Sequence, residues 1–165
     1  MIERTAYSLA ERLITRAVSE GLTLVTAESC TGGLVSAAMT AVPGSSAAFT
    51  YGFVTYANEA KMDLLGVSPD TLAQRGAVSR RVAEEMAAGA RQRSGADIAV
   101  SITGAAGPGG GTEAKPVGLV WFGLSGPFGV KTERRQFPAA SRDFVRMMAT
   151  RNALRLLSRG IDLSI

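Results

Sequence analysis

The chain has 165 residues and no histidine. Without imidazole groups there is no Ser-His-Asp triad, no Cys-His dyad and no metal site with histidine ligands. The chain also lacks the side chain that most often transfers protons in enzymes near neutral pH. A hydrolase with this sequence would have to take its general base from a lysine, a tyrosine or a carboxylate.

Cysteine and long apolar runs are also scarce. The single cysteine, Cys30, cannot form an internal disulfide and provides too few soft ligands for a structural zinc site. No stretch approaches the roughly 18 consecutive apolar residues of a membrane span, and charges interrupt the N-terminal segment MIERTAYSLAERL too often for a signal peptide. We therefore expect a cytoplasmic protein that uses no metal or other cofactor and has no membrane partner.

The charge balance is basic but not patterned for nucleic acid. The formal net charge is +4, and the lysines and arginines are dispersed, without a basic stripe interleaved with aromatic residues. We therefore expect no nucleic-acid partner. The length and the 46% content of hydrophobic residues suit one core of ordinary density, so residues 1–165 are expected to form a single domain.

The apolar pattern predicts helices that alternate with strands. Helices are expected at 4–20, 31–42, 58–66, 68–76, 80–95 and from Ser141 to about Gly160. Strands are expected at 22–27, 48–56, 97–103, 117–125 and 130–137, the last two joined as a hairpin by the turn GPFG. This order predicts an α/β fold with a mixed, mostly parallel sheet of about five strands, covered by helices on both faces.

Two predicted strands run directly into glycine-rich segments, TAESCTGG at 26–33 and SITGAAGPGGG at 101–111. Ligands gather at the carboxyl ends of strands in such sheets, and helix N–H groups after a glycine loop favour an anion. Each loop is equally consistent with a tight turn that needs only glycine's conformational freedom. Cys30 is a weak nucleophile candidate here, because without histidine its thiolate would depend on a helix N-terminus alone. A small buried thiol is the simpler interpretation.

The segment PGSSAAFTYGFVTYANEAK holds the residues that could replace histidine chemistry. With Asn58 as a helix N-cap, Lys61 takes the third helical position, where the partial positive charge of the helix end lowers the pKa of its ammonium. A lysine that can be neutral near pH 7 can activate a serine, and Tyr56 could relay a proton. The alternatives are an exposed lysine, and Ser45 or Ser46 as a simple helix cap.

The last predicted helix carries arginines on its apolar side. Arg142 and Arg146 fall on the same side as Val145 and Ala149, at about 100° per residue. Because the helix dipole disfavours cations in the first turns, these arginines suggest an anionic partner. Alternatively, their guanidinium groups extend to solvent or pair with an internal carboxylate such as Glu28.

Four segments, TAESCTGG, GSSAAFTYGFVTYANEAKMDLLGV, GAVS and TGAAGPGGGTEAKPVG, together resemble the CinA C-terminal domain family, the nicotinamide-nucleotide amidases. With the chain ends, the resemblance covers nearly the whole sequence and is closest to the stand-alone form of the family. It implies a three-layer α/β/α sandwich and hydrolysis of nicotinamide mononucleotide to nicotinate mononucleotide and ammonia, without a metal. We also expect the chain to associate with copies of itself.

The resemblance also implies a catalytic set, in which Lys61 takes the proton of Ser46 and Tyr56 lies beside them. Backbone N–H groups near Ser46 or in the 104–107 loop would stabilise the oxyanion. Further residues are expected to bind substrate: Glu28, Ser29, Cys30, Thr31, Gly32, Gly33, Ser45, Thr103, Gly104, Ala105, Ala106, Gly107 and Arg142. The competing hypothesis is a nucleotide-binding or regulatory module without turnover.

Overall fold

The structure, a computed structural model, describes residues 2–165 and contains all the predicted elements, with ends shifted by a few residues. The helices are α1 Arg4–Glu20, α2 Leu34–Thr40, α3 Asn58–Leu65, α4 Pro69–Arg75, α5 Arg80–Ser94 and α6 Arg142–Asp162. The strands are β1 Leu24–Glu28, β2 Phe49–Val54, β3 Ile98–Gly104, β4 Leu119–Gly126 and β5 Gly129–Gln136. A 3-10 turn, Ser45–Ala47, precedes β2.

The five strands form one sheet in the order β2-β1-β3-β4-β5. β1 pairs in parallel with both β2 and β3, whereas β4 pairs antiparallel with β3 and with β5. Only β4 therefore runs against the other four strands. The mixed, mostly parallel sheet and the terminal hairpin are both confirmed.

Helices cover both faces of this sheet, because residues along each buried strand point alternately to either side. On β1, Leu24 packs into a hydrophobic cluster formed with α1, α2 and α6, and its neighbour Val25 packs into a second cluster formed with α5. α3 and α4 pack on α5. The three-layer sandwich is confirmed. No helix within residues 2–165 combines the length and apolar character that a membrane crossing requires.

Serine caps start three helices where the sequence predicts them. The side chains of Ser68, Ser79 and Ser141 accept hydrogen bonds from backbone N–H groups in the first turns of α4, α5 and α6. The prediction for α3 is wrong by one residue: Ala57 is the N-cap and Asn58 is the first helical residue. Lys61 is therefore the fourth helical residue, farther from the helix end than the sequence suggested.

α5 lies unusually close to its neighbours at two glycines. A Cβ atom at Gly89 would stand 1.8 Å from the carbonyl oxygen of Leu65, the last residue of α3. A Cβ atom on Gly123 of β4 would stand 2.3 Å from the carbonyl oxygen of Ala83 in α5. These glycines allow α5 to pack closely against the sheet and α3 to pack closely against α5. The position of α3, which carries Lys61, therefore depends on the close contact at Gly89.

Candidate active site

The candidate site lies at the end of the sheet that the carboxyl ends of β1, β2 and β3 form. Because these strands are parallel, the segments that follow them meet at this end of the sheet. They are the TAESCTGG loop after β1, residues 55–57 after β2, and the glycine-rich loop after β3. The start of α6 closes the site, because Arg142 donates a hydrogen bond to the carbonyl oxygen of Gly107 at 2.7 Å.

Lys61 places a buried amine at this end of the sheet. Its side chain is 1% exposed, and Nζ donates to Oγ of Ser29 at 3.1 Å and to the carbonyl oxygens of Thr55 and Tyr56 at 2.8 and 3.0 Å. Burial, the largest cause, lowers the pKa of Lys61 below its ordinary value of 10.5. The neutral amine is therefore easier to form here than on an exposed lysine.

The hydroxyl that meets this amine belongs to Ser29, not to Ser46. Ser46 lies in the 3-10 turn before β2, beside the point where β1 begins. Lys61 is anchored beyond the other end of β2, and a strand of six residues spans about 20 Å. Within one chain, the Ser46–Lys61 pairing that the resemblance implies is therefore not formed. Ser46 is exposed and its neighbour Ser45 is half-buried.

Glu28 is fully buried and serves as the cap of α2. Its two carboxylate oxygens accept hydrogen bonds from the backbone N–H groups of Gly33, Val35 and Ser36 and from the Ser36 hydroxyl, at 2.7 to 3.1 Å. Gly32 and Gly33 have positive φ angles that allow the turn before this helix. An internal carboxylate thus occupies the helix end where the sequence suggested a bound anion, and the predicted substrate contact of Glu28 is replaced by this cap.

Cys30 is buried, with 4% of its surface exposed. Loss of hydration raises the pKa of its thiol to about 12. The thiol therefore stays protonated near neutral pH, which disfavours Cys30 as a nucleophile.

The two inward-facing arginines of α6 have different partners. Arg146 donates to the carbonyl oxygens of Cys30 and Thr31 at 3.1 and 3.0 Å, so it holds the TAESCTGG loop in place. Arg142 is exposed at the rim and donates to the hydroxyl of Tyr56 at 3.0 Å. Neither arginine pairs with Glu28, and Arg142 is the one that remains open to a ligand.

The loop after β3 packs tightly against the chain. Thr103 is buried and donates its hydroxyl to the carbonyl oxygen of Ala77 at 2.8 Å, which ties the GAVS segment to the sheet. Ala105, Ala106 and Gly107 are also buried, and Gly104 leaves no room for a Cβ atom beside Val120. These residues shape the floor of the site.

Two buried hydroxyls in the segments that follow β1 and β2 have no hydrogen-bond partner within residues 2–165. They belong to Thr31, two residues after Ser29, and to Thr55, whose carbonyl oxygen accepts from Lys61. Buried hydroxyls are usually paired, so each is available to a water or a substrate atom. No group of three or more His, Cys, Asp or Glu side chains in the described chain could hold a metal ion.

A hydroxyl in contact with a lysine of lowered pKa is the arrangement of a nucleophile and its general base. Sequence reasoning placed Ser29 only among the substrate contacts and missed its pairing with Lys61. One available signal was the position of each residue along the chain, because Ser29 and Lys61 both follow strands of the predicted parallel part of the sheet whereas Ser46 precedes one.

Comparison with known proteins points to one family. The model of the CinA C-terminal domain matches residues 6–161. Nicotinamide-nucleotide amidohydrolase PncC from Escherichia coli (strain K12) is 49% identical over 157 residues, which cover 95% of each protein. A CinA-like protein from Chloroherpeton thalassium is 61% identical over 107 residues, 65% of this chain and 26% of that protein.

Solved structures agree with this assignment. The competence/damage inducible protein CihA from Agrobacterium tumefaciens superposes with a TM-score of 0.95, is 45% identical and covers 98% of both chains. A CinA superfamily protein from Escherichia coli superposes with a TM-score of 0.89, is 38% identical and covers 96% of this chain and 93% of that one. The chain therefore belongs to the CinA C-terminal domain family.

Proposed function

We propose that this chain is an amidohydrolase that converts nicotinamide mononucleotide to nicotinate mononucleotide and ammonia, in the recycling of pyridine nucleotides in the cytoplasm. The observation that carries the proposal is the 3.1 Å contact between the buried amine of Lys61 and the hydroxyl of Ser29. The similarity to the PncC amidohydrolase over 95% of each protein supports the choice of substrate.

In the first half of the proposed reaction, Oγ of Ser29 bonds to the carbon of the carboxamide while neutral Lys61 takes the hydroxyl proton. We assign the oxyanion to the N–H groups of the loop that follows Ser29, among which that of Thr31 donates no hydrogen bond to a backbone carbonyl of residues 2–165. The carbon–nitrogen bond then breaks, Lys61 returns its proton to the departing nitrogen, and ammonia leaves. The nicotinoyl group remains on Ser29 as an ester.

In the second half, water attacks this ester and Lys61 again takes the proton. The bond between the carbonyl carbon and the oxygen of Ser29 breaks, Ser29 recovers its proton, and nicotinate mononucleotide is released. The three hydrogen bonds of the Lys61 amine hold it in one position through both halves of the reaction.

We assign the phosphate of the substrate to Arg142. Its guanidinium is exposed at the rim and already reaches both the loop after β3 and Tyr56, at opposite sides of the opening. Arg146 is committed to two loop carbonyls, so we assign it the positioning of the loop that carries Ser29.

The test is an ammonia-release assay with nicotinamide mononucleotide, run beside a binding measurement. Wild type should release one ammonia per nicotinate mononucleotide formed, and Lys61→Met should bind the nucleotide without releasing ammonia. A wild-type protein that binds the nucleotide with no release would favour the non-catalytic nucleotide-binding module instead.

We also propose that the chain self-associates through β2. This strand is an edge of the sheet, and Tyr51 and Val54 on it are about half exposed. If two copies paired antiparallel, the Ser45–Ala47 turn of one copy would lie beside the end of β2 in the other, a route by which Ser46 could approach a second site. Sedimentation of wild type and Tyr51→Glu should give a dimer and a monomer respectively, and a monomeric wild type would contradict the proposal.

A further inference from the structure

A second concave site lies on the α5 side of the sheet, between α4, the start of α5, residues 114–115 and the ends of β4 and β5. Its volume is about 840 Å³, within the usual size of small-molecule sites. None of the residues that form the candidate active site lines it. The proposed amidase reaction gives this cavity no role.

The cavity concentrates the positive charge of the protein. Its lining contains five cations, Arg75, Arg80, Arg81, Lys115 and Arg134, and one carboxylate, Glu84. The resulting net charge of +4 equals the formal net charge of the whole chain, so the remainder of the surface is balanced. Five of the 18 lysines and arginines, dispersed in the sequence, thus line one cavity in the fold.

Three of these cations are free to meet a ligand. Arg81 is held by Glu84 and Glu85, and Lys115 donates to the carbonyl oxygen of Arg75. In contrast, the guanidinium groups of Arg75, Arg80 and Arg134 form no ion pair with any carboxylate of residues 2–165, and all three residues are exposed. Unpaired guanidinium groups around one cavity are suited to several phosphate oxygens at once.

The wall also contains Trp121, the only tryptophan of the chain, which lies half-buried on β4. Its indole offers an apolar surface on which a nucleobase can stack, beside the cations that would hold phosphates. We propose that this cavity binds a polyphosphate group, either free or carried by a nucleotide, at a site separate from the amidase centre.

The fold keeps the two sites apart. Trp121 is on β4, two strands away from the end of β1 that carries Ser29, which corresponds to about 10 Å across the sheet. Thr103 on β3, the register partner of Trp121, donates its hydroxyl to the carbonyl oxygen of Ala77, and the GAVS segment held in this way contributes Val78 and Ser79 to the cavity lining. A ligand in the cavity would therefore change the surroundings of Trp121 without touching Lys61.

The single tryptophan makes binding directly measurable. Wild-type protein is titrated with ATP, with tripolyphosphate and with nicotinamide mononucleotide while the fluorescence of Trp121 is followed. ATP and tripolyphosphate should each give a saturable change that weakens with added salt. Tighter binding of ATP would indicate that the base contributes, and equal binding would indicate recognition of the phosphates alone.

Charge variants then test the lining. Arg80→Gln and Arg134→Gln should each weaken polyphosphate binding about tenfold, whereas Arg155→Gln, which removes an exposed arginine from α6 on the opposite layer, should not. All three variants should hydrolyse nicotinamide mononucleotide with wild-type KM and kcat. Thermal melts of the variants establish that each one is folded.

Three results would overturn the proposal. Absence of a saturable fluorescence change with either polyphosphate removes the site. Binding of single-stranded oligonucleotides but of no small polyphosphate assigns the surface to nucleic acid instead. Displacement of ATP by nicotinamide mononucleotide, together with a raised KM in Arg80→Gln, makes the cavity part of the substrate site. The fluorescence titrations and the displacement of ATP can be read whether or not the amidase proposal holds, and only the KM comparison requires amidase activity.

Discussion

At the scale of single residues, the proposed reaction depends on the burial of one amine. An ammonium removed from water is destabilised relative to the neutral amine, and Lys61 recovers part of the lost hydration through its contacts with two backbone carbonyls and Ser29. Carbonyl acceptors hold the amine in place without fixing its charge as a carboxylate would. This combination suits a general base that must gain and lose a proton in every cycle.

We expect kcat/KM to rise with pH through an ionisation below 10.5, because the proposed base is the neutral form of Lys61 and burial lowers the pKa of this residue. Lys61→Arg keeps a positive charge that does not dissociate, so activity should fall roughly 10³-fold or more. The measurement is a pH–rate profile of wild type and variant. An active Lys61→Arg enzyme with an unchanged profile would assign the amine to charge stabilisation and the base to another residue.

We expect Ser29→Ala to lose roughly 10³-fold or more of kcat while still binding nucleotide, because the attacking oxygen is gone. Ser46→Ala should lose much less of kcat, since within one chain Ser46 and Lys61 lie beyond opposite ends of β2. Cys30→Ser is the matched control, because it changes the next residue of the same loop and leaves the Ser29 hydroxyl in place.

Mass spectrometry of enzyme quenched during turnover should find the nicotinoyl ester on the peptide that contains Ser29. An ester on the peptide that contains Ser46 would restore the pairing suggested by sequence resemblance.

Residue types at the site were readable from the sequence, but their partners were not. The absence of histidine directs attention to Lys61, and the glycine loop draws attention to Ser29. Which hydroxyl meets the amine depends on the direction of β2 relative to β1, a contact between residues 32 positions apart. Local pattern carries no information on such a distance.

At the scale of elements, α1 and α6 are tied together by one side chain. Glu3 caps α1 by accepting from the N–H groups of Thr5 and Ala6, and it also pairs with Arg151 of α6 at 2.9 Å. The hydrogen bond from Arg151 is the main cause that lowers the pKa of Glu3 to about 2. One carboxylate thus fixes a helix end and a helix–helix contact.

Because the pKa of Glu3 is lower in the folded chain than its ordinary value of 4.5, its stabilising effect is complete above that value and is lost as the pH falls towards about 2. We expect the melting temperature of Glu3→Gln to fall less than that of wild type over this interval. Glu11→Gln, which removes an exposed carboxylate from the same helix, should follow wild type. Parallel curves for wild type and Glu3→Gln would show that the ion pair adds nothing.

Helix boundaries followed the sequence where a side chain decides them. Ser79 and Ser141 start α5 and α6 as expected, because their hydroxyls satisfy backbone N–H groups that would otherwise lack a partner. α3 starts without a side-chain cap. Without a capping side chain, the residue at which the helix begins is not marked by residue type, and Asn58 is the first helical residue instead of the N-cap.

At the scale of the whole molecule, we propose that residues 1–165 form one domain that unfolds as one unit. The two hydrophobic clusters lie on opposite faces of a single sheet, and both include residues from β1 and β3. Loss of either cluster therefore exposes strands that the other needs. Thermal unfolding should give coincident curves for far-ultraviolet circular dichroism and for Trp121 fluorescence, and two separated transitions would contradict the proposal.

Fold class followed from the alternation of strands and helices, and the terminal hairpin followed from the turn GPFG between two predicted strands. The order of the strands did not, because the position of β1 between β2 and β3 depends on how helices pack across the sheet. The cationic cavity was equally hidden, since its arginines are up to 59 positions apart and converge only in three dimensions.

The close approach of α5 and α3 at Gly89 matters for attempts to make this protein more heat-resistant. Glycine inside a helix costs about 1 kcal/mol relative to alanine, so routine stability engineering would select Gly89→Ala. Here the added methyl group would collide with the carbonyl oxygen of Leu65, a backbone atom that yields only if the whole of α3 shifts. α3 carries Lys61, so a substitution chosen for thermostability, at a position well outside the candidate site, would displace the amine that we propose as the general base.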